Sequence, residues 1–184
     1  NTSQPLQQQI VTQLSYIQYQ NLKIDGKEEV EQKLQKISSS SDRLSFLIFK
    51  VKENTKDTIQ LVQSGESGWE SLESNFKDDN SLIVLYRFLM PNYKTPRIAL
   101  LIWIGERVKT WQRVQTTSLS TYLREYLTSI QVQCHTIING ANKQEMNLDV
   151  IKQRLVKSGG IRYDQIEQDC LPKSLLDSNY VSQK

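Results

Sequence analysis

The sequence has one histidine, two cysteines and no apolar run longer than seven residues, and each scarcity closes off a class of protein. His135 by itself builds neither a metal cluster nor a histidine relay. Cys134 and Cys170 lie 36 positions apart with no partner nearby, which excludes a zinc ribbon or a disulfide scaffold and suits a reducing compartment. The longest apolar run, Ile98 to Ile104, is far short of the ~20 residues that span a bilayer, so no membrane helix is expected. Phosphate-cradling glycines are missing too: Gly65 and Gly68 are not followed by Gly-Lys-Ser/Thr, and no G-x-G-x-x-G occurs.

What is present is a chain of 184 residues, 38% hydrophobic and 23% charged, enough for one folded domain with modest extensions. It opens on Asn1 instead of Met, which leaves room for a longer native chain and a targeting segment ahead of it. The net charge of +3 hides a segregation. Asp25 to Tyr86 carries 8 basic and 12 acidic side chains, whereas Arg87 to Arg113 carries six basic residues (Arg87, Lys94, Arg97, Arg107, Lys109, Arg113) against Glu106 alone. Such a window attracts an acidic surface. Nucleic acid is disfavoured, because the domain as a whole is not strongly basic and Trp103 and Trp111 sit within apolar patterns instead of interleaving with the cations.

Residues 1–24 hold seven glutamines and a single charge, Lys23, with Leu6, Ile10, Leu14 and Ile17 at the spacing of a short amphipathic helix. Folded texture begins at Asp25. Lys27 to Ile37 reads as a helix with Val30, Leu34 and Ile37 inward, Leu44 to Val51 and Thr58 to Gln63 as a hairpin, Trp69 to Phe76 as a short helix, and Leu82 to Leu89 as a third strand. The unbroken apolar run Ile98 to Ile104 predicts a fourth strand, central and buried on both faces. Leu119, Tyr122, Leu123, Tyr126, Leu127 and Ile130 mark a long helix. Val132 to Ile138 predicts a fifth strand, and Asn142 to Lys157 a last helix ahead of a patternless tail. The fold class is α/β layered: a central mixed five-stranded sheet with helices on both faces.

Catalytic groups are thin. Cys134 and His135 are adjacent on a strand and so point to opposite faces, leaving Cys134 as core rather than a nucleophile. The carboxylate pairs Glu28-Glu29 and Asp78-Asp79 lie in polar surroundings that raise no pKa. No enzyme is expected, and a macromolecule binder is.

Arg97-Ile-Ala-Leu-Leu-Ile-Trp-Ile-Gly-Glu106, followed by Val108 and Gln112-Arg113, resembles the central strand and turn of the coactosin-like branch of the actin-depolymerising factor homology (ADF/cofilin) family. Asp25 with Lys27-Glu28, Leu85-Tyr-Arg-Phe88 and Val156-Lys-Ser-Gly-Gly-Ile-Arg-Tyr-Asp164 match further blocks in order, so the resemblance covers about 25–164, flanked by extensions 1–24 and 165–184. It implies that family's fold, a cytoplasmic and cytoskeletal location, and binding to the side of filamentous actin without catalysis, metal or cofactor. The carried-over contacts are Lys94 and Arg97 before the fourth strand, Trp111, Arg113 and Gln115 at the opening of the long helix, and Arg154 and Lys157 on the last helix. Arg97 keeps the charge of an expected lysine, whereas Gln115 to Ser118 lacks the lysine usual there, and Leu119 reads as core.

Two functions follow: an actin-filament side binder, with Arg97, Arg113 and Lys157 as the preferred contacts, or a fold that has lost actin and serves as a subunit of a larger cytoskeletal assembly, for instance ciliary, docked through residues 1–24 or 165–184.

Overall fold

The computed structural model describes residues 21–89 and 95–159. The helix expected within residues 1–24 falls almost wholly outside them, as do Lys94, the closing motif beyond Gly159 and the tail 165–184.

The chain runs β1 (Lys23–Ile24), α1 (Lys27–Ser38), β2 (Phe46–Val51), β3 (Thr58–Gly65), α2 (Trp69–Glu73), β4 (Ser81–Phe88), β5 (Arg97–Ile104), α3 (Thr110–Ser129), β6 (Cys134–Gly140) and α4 (Leu148–Gly159). The sheet order is β1-β3-β2-β4-β5-β6, with the outermost pairs parallel and the inner three antiparallel. This is the expected mixed sheet, but with six strands where the sequence predicts five. The addition is β1, whose two residues pair with Thr58 and Ile59. Two residues carry no period, so only tertiary pairing makes them a strand.

β5 lies between β4 and β6, and its alternating side chains feed two cores. Ile98 and Leu100 join Val30, Leu34 and Ile37 of α1 and Leu119, Leu123 and Leu127 of α3 on one face. Ala99, Leu101 and Trp103 join Leu72 of α2 and Ile151 and Leu155 of α4 on the other. Helices on both faces are thus what the unbroken apolar run demands.

Several boundaries move for identifiable reasons. The last helix starts at Leu148, six positions beyond Asn142. The Asn142 carboxamide closes a separate turn by accepting from the Gln144 and Glu145 N–H groups, and Asn147 then caps α4 by accepting from Val150 N–H at 3.0 Å. The fifth predicted strand begins at Cys134, because α3 ends in a Schellman motif: Val132 N–H reaches the Leu127 carbonyl and Gln131 N–H that of Thr128. Gln131 takes the left-handed conformation there, φ 63°, where glycine is usual.

Arg87, counted above among the cations of the basic window, is fully buried in β4. Its guanidinium donates to the carbonyls of Ser39 (2.9 Å) and Asp42 (2.6 Å), holding the serine-rich loop over the sheet end. Its side chain is not offered to a partner at the surface.

Candidate macromolecular interface

The turn from β5 into α3 is built to fix a helix start. Gly105 N–H donates to the Asn80 carbonyl at 3.0 Å and Arg107 N–H to that of Asp78 at 2.8 Å, while the Trp103 indole N–H donates to Lys77 at 2.8 Å. A Cβ at Gly105 would overlap the Asp78 carbonyl. The tryptophan-isoleucine-glycine-glutamate element therefore packs backbone against backbone. Arg113 completes the clip: its half-buried guanidinium donates to the carbonyls of Val108 (2.9 Å), Gly105 (3.0 Å) and Glu106 (2.7 Å). Gln115 ties the same helix to the β2–β3 turn through Thr55, and buried Thr116 donates to Ser81 at 3.0 Å.

This clip holds out an unusual surface. Trp111 is 61% exposed and Val114 63%. Trp111, set within an apolar pattern by the sequence and counted among the carried-over contacts, thus stands in solvent. It walls a groove of about 400 Å³ that reaches Lys50, Thr55, Asn80 and Gln115. Val114 escaped sequence reasoning, yet a signal existed: at 100° per residue, the stripe Leu119-Leu123-Leu127 carried back places position 114 on the opposite side of the helix. α3 also has no acid in its first turn, whereas α1, α2 and α4 have Glu28, Glu70 and Asp149 there. α3 itself thus brings no carboxylate to its positive dipole end, which lies beside exposed Arg107 and Lys109, with Glu53 and Asp79 in the groove that Trp111 walls.

The predicted contacts do not form one patch. Trp111, Arg113 and Gln115 gather at the end of the sheet where β5 finishes. Arg97 opens β5, roughly 25 Å away at strand rise. Arg154 and Lys157, both exposed, lie in the later turns of α4, on the face opposite α3. Among the described residues no carboxylate forms an ion pair with Arg107, Lys109, Arg113, Arg154 or Lys157; the pairs Lys23–Asp57, Lys27–Glu31, Lys33–Glu29 and Lys52–Asp25 belong to the acidic segment.

The histidine and the described cysteine singled out in the sequence both have structural surroundings. His135 is occupied structurally: its Nδ1 accepts the Ile98 N–H at 3.0 Å, where the β5–β6 register slips by one residue. Burial, with help from the Arg97 charge, lowers its pKa to about 4. Burial pushes the Cys134 thiol up to about 11, which leaves it protonated. Among the described residues no three His, Cys, Asp or Glu side chains are placed to hold a metal ion, and no helix is long and apolar enough to cross a membrane.

Comparison with known proteins places this geometry. The family model described as cofilin/tropomyosin-type actin-binding protein matches residues 23–156. Coactosin-like protein of Bos taurus is 30% identical over 107 residues, 56% of this chain and 72% of that one. Drebrin-like protein B of Xenopus laevis is 22% identical over 112 residues, 61% of this chain, and the match spans only 29% of that longer protein. The solution structure of mouse coactosin, described as an actin filament binding protein, superposes with a TM-score of 0.58 at 26% identity, covering 78% of this chain and 96% of the other. The chain belongs to the cofilin/tropomyosin-type actin-binding protein family, as a coactosin-like actin-depolymerising factor homology domain.

Proposed function

We propose that this domain is a non-catalytic, cytoplasmic component of the cytoskeleton that binds the side of filamentous actin. The observation that carries the reading is the first turns of α3, where Trp111 and Val114 stand in solvent on a rigid helix start beside Arg107 and Lys109. An exposed tryptophan backed by a fixed main chain is a typical binding anchor. The exposed cations Arg107 and Lys109, which form no ion pair among the described residues, steer an acidic partner towards it. The separation of this patch from Arg97, Arg154 and Lys157 suits a polymer, which offers two neighbouring subunits to one domain. Arg97, which opens β5, is assigned to that second contact, and Lys94, three positions ahead of it in sequence, is assigned there with it. Arg113 and Gln115 act here by orienting the helix rather than by reaching the partner.

Co-sedimentation with filamentous actin at low and moderate salt tests the reading. Pelleting that is weakened by Arg107→Glu with Lys109→Glu, and by added salt, supports it. Failure to pellet at low salt removes it, in favour of a domain retained as a subunit of a larger assembly.

A further inference from the structure

The groove that Trp111 walls is assembled from three stretches of chain. The end of β2 and the β2–β3 turn give Lys50, Lys52 and Glu53, the turn into β4 gives Asp79, and α3 gives Trp111 and Gln115. Two hydrogen bonds hold these walls together, Gln115 to the Thr55 carbonyl at 2.8 Å and Thr116 to Ser81 at 3.0 Å, so the groove of about 400 Å³ is formed without a ligand.

Its charges are not evenly matched. Lys52 is engaged, with its ammonium 2.9 Å from the Asp25 carboxylate. Glu53 and Asp79 are exposed, and among the described residues neither forms an ion pair, nor does Lys50. Two carboxylates therefore stand against one ammonium, beside an indole that is 61% exposed. Arg107 and Lys109 lie outside these walls.

That set of groups selects by sign. An anion would meet both carboxylates, and an apolar group would strip water from them without replacing its hydrogen bonds. A cation gains from the carboxylates and from the negative face of the indole ring. Of the two basic side chains arginine fits better, because its planar guanidinium stacks on an aromatic face while donating to carboxylates from a rigid fork.

We propose that the groove beside Trp111 takes an arginine side chain of the partner protein, stacked on the indole with Glu53 and Asp79 as its counter-charges. The preference for a cation rests on the groove alone; that the partner is filamentous actin rests on the function proposed above. The acidic surface drawn by Arg107 and Lys109 then carries this arginine within it.

Two readouts test it. In nitrogen–proton correlation spectra of the full chain the Trp111 indole N–H, assigned with Trp111→Phe, is expected to shift saturably as N-acetyl-arginine amide is added. The Trp103 indole, buried and bonded to the Lys77 carbonyl, stays still. Glu53→Gln with Asp79→Asn is expected to raise the half-saturation concentration about fivefold and to weaken pelleting with filamentous actin by a similar factor. Both side chains are exposed, so the double variant keeps the fold. The sign is decisive, because removing negative charge would strengthen binding if an acidic partner met this surface only through its field. An unmoved Trp111 indole in the parent, or an equal half-saturation in the variant, overturns the proposal, whatever actin does. A shift that the variant weakens when neither protein pellets supports the groove and removes the actin assignment instead. Pelleting that is unchanged or stronger in the variant, alongside a weakened shift, overturns the placing of a filament arginine in the groove.

Discussion

The Gln115 carboxamide donates to the Thr55 carbonyl at 2.8 Å across 60 residues of sequence and so holds the second turn of α3 to the β2–β3 turn. The turn ahead of α3 is itself bound to the 77–80 turn, so the helix start is held from two sides. Its exposed residues are presented in a fixed direction.

Trp111→Ala should weaken binding to filamentous actin about tenfold or more, a loss of ~1.4 kcal/mol or greater, and Val114→Ala somewhat less. Both side chains are mostly in solvent, so the unfolding free energy should stay within about 0.5 kcal/mol of the parent. Co-sedimentation alongside urea unfolding separates the two quantities, and a variant that pellets like the parent contradicts the assignment.

Arg113→Ala should behave the other way round. Removing a guanidinium that serves three carbonyls costs about 1–2 kcal/mol of stability, read as a lower thermal midpoint, and Arg113→Lys recovers only part, since an ammonium cannot span the same fork. An Arg113→Ala protein of parental stability but reduced actin binding would return Arg113 to the role of a direct contact.

Gly105→Ala tests the backbone-to-backbone clip. The added methyl meets the Asp78 carbonyl, and a main chain gives way poorly, so a destabilisation of about 1–3 kcal/mol is expected. Hydrogen exchange should show the loss concentrated at 77–80 and 105–108; a uniform or absent change would contradict the clip.

Gln131→Gly should stabilise the domain. Gln131 carries the left-handed turn that closes α3, a conformation that glycine adopts without the Cβ penalty, so a gain of about 0.5–1 kcal/mol is expected in chemical unfolding. A loss would mean that the side chain makes up for its own strain.

Stability should also fall with acid through His135. Its folded pKa, about 4, lies below the unfolded value near 6.5, so the neutral imidazole is the form the fold prefers. The contribution is complete above pH ~6.5 and is lost as pH falls towards 4, where a protonated Nδ1 would face the Ile98 N–H donor to donor. Unfolding midpoints measured from pH 7 to pH 4 should decline more steeply in the parent than in a His135→Asn variant; parallel curves would exclude this histidine as the cause.

How far the sequence could be read depended on the range of the interaction. The apolar run of β5 announced two covered faces, because burial on both sides leaves no polar alternation to see. The start of α4 is ambiguous in sequence because Asn142 and Asn147 are both good caps, and only the folded chain shows Asn142 closing a turn of its own while Asn147 caps α4. Arg87 counted as surface charge because a lone arginine in an apolar strand gives no sign of the loop carbonyls waiting for it 45 to 48 residues upstream.

The sequence alone determined the layered architecture, the order of nearly all its elements and the family, since hydrophobic period and local turn chemistry act between residues a few positions apart. The tertiary structure alone decided which cations and apolar side chains reach solvent. Whether Arg113 faces a partner or its own carbonyls, and whether Trp111 is core or surface, depends on atoms brought together from distant segments, and no local pattern encodes that meeting.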